Sequence, residues 1–150
     1  MNRVLFTLCV AAGMLLCGGI GTGDDTDPKK KEEVVSVSSP KDGAEVEEIE
    51  VVDAKLLKKN GWPVVLVRPL TGGQPWYAQE VVEQLGDEDE FSAEVYFGDS
   101  NTKPGTKFRV MIVVVESKEI AETKFKAGST HTQQKLGSLP KSKQIGVVRK

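Results

Sequence analysis

Cysteine is scarce in this chain of 150 residues: there are two, Cys9 and Cys17, both near the N-terminus. Beyond them no disulfide can close within the chain, and no thiolate is at hand for zinc. Histidine is scarcer still. His131 stands alone in the polar stretch "STHTQQ", which excludes a multi-histidine metal site and leaves one ring for any Ser-His-Asp relay. Neither sign of charge dominates: 20 Lys and Arg face 22 Asp and Glu, a formal net charge of −2. The basic patch that nucleic acid requires is therefore not expected. The chain also lacks a phosphate-cradling GxxxxGK[ST], a dinucleotide fingerprint and a GxSxG elbow. The paired glycines of "LTGGQP" read as turn chemistry. No cofactor is expected.

What is present begins with an apolar run, Val4 to Leu16, interrupted by Thr7 and Gly13 and preceded by Arg3, the one charged side chain before Asp24. It falls short of the roughly 20 apolar residues that span a bilayer comfortably. A positive start, an apolar centre and a small-residue end make residues 1–21 a signal peptide, which predicts export. Gly19 and Gly21 offer the small residues of an ordinary cleavage site before Thr22. The stretch "MLLCGG" resembles the lipobox of bacterial lipoproteins, which implies lipidation of Cys17 and a membrane anchor. Met14 stands three before the cysteine, and Leu16 fills the position that is small in that motif. An uncleaved anchor is the third reading. Residues 22–32, "TGDDTDPKKKE", have no apolar side chain and read as a flexible charged linker.

From Glu33 the pattern is β. "EVVSVSS" alternates, "SPKDGAEV" is a turn around Asp42-Gly43, and "VEEIEVVDAKLL" is a strand. In that strand the apolar phase moves from Ile49 and Val51 to Val52, Ala54 and Leu56, which suggests a bulge or a change of partner. Asn60-Gly61 marks a hairpin. "WPVVLVRP" is apolar on both faces, and "WYAQEVV" follows as a further strand. "FSAEVYF" sets Phe91, Ala93, Val95 and Phe97 on one face; "TKFRVMIVVV" is apolar on both. Ile120, Ala121, Lys124 and Phe125 fall at helical spacing, which predicts a short helix over 118–126, capped by Ser117 and ended by Gly128. "STHTQQKLGSLPKSK" reads as loop and "QIGVVR" as the last strand. The expectation is an all-β sandwich of about seven strands with one short helix, spanning residues 33–150.

"VVSVSSPKDGAEV", "DEDEFSAEVYFG" and "KPGTKFRVMIVVV" resemble the immunoglobulin-like and fibronectin-type-III-like modules of exported bacterial proteins. The resemblance covers residues 33–150 and implies an immunoglobulin-like β-sandwich with a spacer, adhesion or binding role. It carries no catalytic residue across. The paired cysteines of the antibody type are missing, and Trp62 is the residue available for the place of its core tryptophan.

The best site candidate is "QPWYAQE". On a strand Trp76 and Tyr77 point to opposite faces, so one enters the core and the other faces outward. Beside Gln74 and Gln79, the outward ring could stack on a sugar or anchor a protein. In "GDEDE", Asp87 and Asp89 are weak calcium candidates against the plainer reading of a solvated hairpin tip. The sequence thus points to a non-enzymatic exported module of the periplasm or cell surface, with or without a lipid anchor, whose partner is an envelope protein or a polysaccharide. A carbohydrate-binding module using Trp76 or Tyr77 is the alternative. A small hydrolase built on a carboxylate pair about 5–9.5 Å apart is a second.

Overall fold

A computed structural model describes residues 33–150. The signal peptide, Cys17 and the linker over residues 22–32 lie outside the described residues.

Alternating side chains build the first sheet. β1 (Val35–Ser39), β3 (Ile49–Leu56) and β6 (Glu90–Tyr96) lie antiparallel in the order β1-β3-β6. Each has an apolar face and a polar face, so each can pack on one side and meet water on the other. The phase change in β3 is not a bulge in that strand, because its register with β6 runs unbroken from Ile49 opposite Tyr96 to Lys55 opposite Glu90. Ile49 and Val51 simply sit on the outer face, and the irregularity lies in β1, between Val37 and Ser39.

The second sheet has six strands, in the order β2-β9-β7-β4-β5-β8. Its centre is β4 (Trp62–Pro69) against β7 (Lys107–Val115), the two segments that are apolar on both faces. β9 (Ile145–Arg149) joins β7, and β5 (Trp76–Ala78) joins β4. β2 (Ala44–Val46), a strand within what reads as turn, runs parallel to β9. Asp42 Oδ1 accepts from Gly146 N–H at 2.6 Å, and Gly43 N–H donates to the Gly146 carbonyl at 2.7 Å, fixing that turn on the last strand. β8 (Thr130–His131), also in a stretch that reads as loop, closes the other edge against β5. The described residues therefore hold nine strands where the sequence suggests about seven.

Two apolar layers explain why the central strands need two apolar faces. Val65, Val67, Phe108, Val110 and Ile112 meet Val52, Ala54, Leu56, Val95 and Phe97 between the sheets. The opposite face of the six-stranded sheet presents Val64, Leu66, Met111, Val113 and Val115, and these pack with Trp76, Ala121, Phe125 and Leu136. The cover is α1 (Lys118–Lys124) and α2 (Gln133–Leu136). Ser117 caps α1 by accepting from Ile120 N–H at 3.3 Å; Thr132 does the same for α2 from Lys135 N–H at 3.4 Å. α2 is too short for its periodicity to show in sequence. Trp62 packs on this helix-covered face and donates from Nε1 to the Val82 carbonyl at 2.9 Å, so it is not a tryptophan of the inter-sheet core. No helix among the described residues is long and apolar enough to cross a membrane.

Candidate functional site

Three strands cannot cover six. β6 is an edge strand of the smaller sheet, and its last residue, Tyr96, lines one groove with Tyr77 of β5. β5 is the segment that carries the two candidate aromatics. Its alternation sends Trp76 and Ala78 to the helix-covered layer and Tyr77 the other way, beside Val67. Trp76 is 0% exposed; its Nε1–H donates to Gln133 Oε1 at 2.9 Å, and the Arg68 guanidinium lies 4.8 Å from its ring centre. A sugar has no ring face to stack on there, so Trp76 is a core residue rather than a ligand contact.

Tyr77 is half-buried and opens onto a groove of about 540 Å³ between β5, the end of β6 and the start of β7. Its wall includes Gln74, Gln79 and Tyr96, with Thr71, Asp99, Thr102 and Thr106 toward the rim and Val67, Pro69 and Phe108 beneath. Three of the four candidates, Gln74, Tyr77 and Gln79, thus come together, and Tyr96 joins them from the other sheet. Tyr96 is 42% exposed. The signal for it was an aromatic on the outward phase of a clean alternation, just before a Gly-Asp turn.

Gln79 has a different task from the one its neighbours suggest. It is 7% exposed, its Oε1 accepts from the Tyr96 N–H at 2.9 Å, and its Nε2 donates to the Tyr77 carbonyl at 3.4 Å. One buried carboxamide therefore ties the backbones of both groove tyrosines, one from each sheet, and little of it is left for a ligand. Gln74 accepts from the Tyr77 hydroxyl at 3.1 Å and stays exposed. The opposite rim is a tight turn. Thr102 Oγ1 accepts from Asp99 N–H at 2.9 Å, and Asp99 Oδ1 accepts from Asn101 N–H at 2.9 Å. Gly98, at φ +87°, lets the chain enter this turn; a Cβ there would run into the Thr102 side chain.

A larger groove, about 720 Å³, lies on the outer face of the three-stranded sheet. Its charged side chains already have partners, in the groove or beside it. Lys55 meets Glu88 at 2.6 Å and Glu90 at 3.7 Å, and Ser92 donates to Asp53 at 2.6 Å. The hydrogen bond with Glu88 holds the Lys55 ammonium above its ordinary pKa and the Glu88 carboxyl below its own. No exposed aromatic ring lines it. The acidic tip nearby is a 3₁₀ turn, Asp87–Asp89, in which Asp89 lies 3.7 Å from Lys59. Among the described residues no three His, Cys, Asp or Glu side chains converge as a group that could hold a metal, at Asp87 and Asp89 or elsewhere.

His131 stacks on Phe125 at 4.4 Å between ring centres, with its Nε2 3.0 Å from Ser129 Oγ. Burial, aided by the Lys135 charge, lowers its pKa below the ordinary histidine value. The ring is an edge-packing residue of β8.

No family model matches the chain, and no curated protein matches it. Among solved structures, an endo-β-1,4-mannanase from Thermotoga petrophila is similar over 83% of this chain and 21% of that one, with 17% identity and a TM-score of 0.45. The chain thus spans about a fifth of that protein's length. By its own architecture, this is a predominantly β domain of two packed sheets with a short helical cover.

Proposed function

We propose that this chain is a non-catalytic, exported binding module with an immunoglobulin-like β-sandwich, and that it holds its partner in the groove between Tyr77 and Tyr96. The observation that carries the reading is the Gln79 carboxamide. It spends a buried polar side chain on fixing two half-open tyrosines relative to one another, an arrangement suited to recognition by a preformed surface. The parallel pairing of β2 with β9, after a first strand in the opposite sheet, supports the immunoglobulin-like topology. Export rests on residues 1–21, with Cys17 as the point of lipid attachment if the lipobox is used.

The test follows the amide resonances of isotopically labelled protein during titration with the polysaccharide and protein fractions of its own cell envelope. Shifts clustered over residues 74–79 and 96–106 are expected. Shifts confined to other surfaces, or none with either fraction, overturn the reading. Intact mass of the protein from its own cells tests how residues 1–21 are processed: cleavage before Thr22, or a lipid-bearing Cys17, is expected, and an uncleaved chain refutes both of these.

A further inference from the structure

Resting on that reading of the groove, we infer that its ligand is a neutral polysaccharide. The chemistry of the wall decides this. The groove is lined by neither lysine nor arginine, so nothing in it selects a phosphate, a sulfate or an acidic sugar. Its one carboxylate, Asp99, already accepts from Asn101 N–H and lies 3.3 Å from Thr102 Oγ1. The remaining polar groups are phenols, a carboxamide and threonine hydroxyls, and each of these both donates and accepts. A sugar hydroxyl does the same from a single oxygen, so every such contact has a partner in either direction.

The apolar part of the wall fits as well. Tyr77 and Tyr96 both line the groove, and a pyranose offers a face of C–H groups to an aromatic ring. The volume of about 540 Å³ lies within the roughly 300–1,000 Å³ of small-molecule clefts. An extended proline-rich peptide is the other occupant an aromatic groove could take. Such a peptide presents mainly carbonyl acceptors, and it is read best by donor-only groups such as an indole N–H. The nearest indole, that of Trp76, faces the opposite layer and is bonded to Gln133. The mixed donor-acceptor wall therefore favours the sugar.

The experiment is native affinity electrophoresis of the full chain in gels containing a soluble β-glucan, a galactomannan, an arabinoxylan, or polygalacturonate as the anionic control. Isothermal titration with the matching oligosaccharide and with a proline-rich decapeptide follows. At least one neutral polymer should retard the protein and polygalacturonate should not. Tyr77→Ala and Tyr96→Ala should each weaken the interaction by roughly tenfold or more. Thr71→Ala, on the rim, should weaken it less, and circular dichroism of each variant reports that the sheets persist. If a Tyr variant does not fold, Tyr77→Phe serves in its place, with partial loss expected because the ring remains while the hydroxyl is gone. Retardation by polygalacturonate alone, retardation indifferent to both tyrosines, or no retardation by any polymer each overturns the sugar assignment. Binding of the decapeptide at the groove without any sugar also overturns it, yet leaves the binding-module reading standing. An absence of any ligand-induced shift at the groove defeats both.

Discussion

Gln79 offers the sharpest test of how the groove is built. Replacing it with leucine keeps nearly the same volume but removes the acceptor for the Tyr96 N–H, a hydrogen bond of 2.9 Å beside a side chain only 7% exposed. A donor left unpaired in such a place costs about 1–3 kcal/mol, whereas the longer contact from Nε2 to the Tyr77 carbonyl adds little. The expected destabilisation of Gln79→Leu is therefore about 2 kcal/mol, or a fall in Tm of roughly 8 °C at about 4 °C per kcal/mol for a domain of this size. Gln79→Ala should lose about 1 kcal/mol more, because it also opens a cavity. Urea unfolding gives the free energy, and amide hydrogen exchange gives the location: protection at Tyr96 should drop ahead of its neighbours on β6. A Gln79→Leu variant within about 0.5 kcal/mol of the parent, with Tyr96 protection unchanged, would show that the carboxamide does not tie the sheets together.

Other outcomes follow from the same structure. Trp76→Ala should cost about 4 kcal/mol in urea unfolding because the indole is enclosed, whereas Tyr77→Ala should cost about 1 kcal/mol; equal losses would contradict the face assignment of β5. Gly61 sits at φ +124°, where a Cβ would collide with the Val115 carbonyl and the Val114 side chain, while Gly43 at φ +82° has nothing within 4 Å. Gly61→Ala should thus cost well over the roughly 1 kcal/mol of Gly43→Ala, and similar melting temperatures for the two would refute the close approach to β7 of this connection, which joins β3 to β4 across the two sheets and is not the hairpin its Asn-Gly suggests. For His131 the folded pKa lies below the unfolded one, so the unfolded chain binds the proton more tightly. Its contribution is full above the unfolded pKa of about 6.5 and is lost as pH falls through that value toward the folded pKa. A urea midpoint that declines over this window should flatten in His131→Gln, and a ring titrating above 6.5 by proton resonance would reverse the sign.

Much of this fold is written locally. β6 reads cleanly because Phe91, Ala93, Val95 and Phe97 alternate with polar neighbours, and α1 reads because Ser117 caps a helical spacing of Ile120, Ala121 and Phe125. β4 and β7 show themselves as doubly apolar, which tells that two layers exist without telling what supplies the second. The elements that escape are those whose reason is distant. β2 has three residues and is a strand because β9, a hundred residues on, pairs with it in parallel. β8 has two residues and exists for β5. The site divides in the same way. That Trp76 and Tyr77 part company follows from strand geometry, but which one is enclosed depends on where α1 and α2 settle. Gln79 reads as a polar neighbour of the aromatics, and only the approach of Tyr96 from the other sheet turns it into a brace.

The two edge strands of the wide sheet have a consequence at high protein density. A sheet grows where its outermost strand offers a row of open N–H and carbonyl groups to a newcomer. Here one border is β2, of three residues, and the other is β8, of two. An incoming chain would find only two or three residues to pair with, and the apolar segments Lys107–Val115 and Trp62–Pro69 each lie third from the nearer border of the sheet, behind β2 and β9 on one side and behind β8 and β5 on the other. Many copies of the domain at high density therefore present one another, along the borders of the wide sheet, with rims too short to zip together.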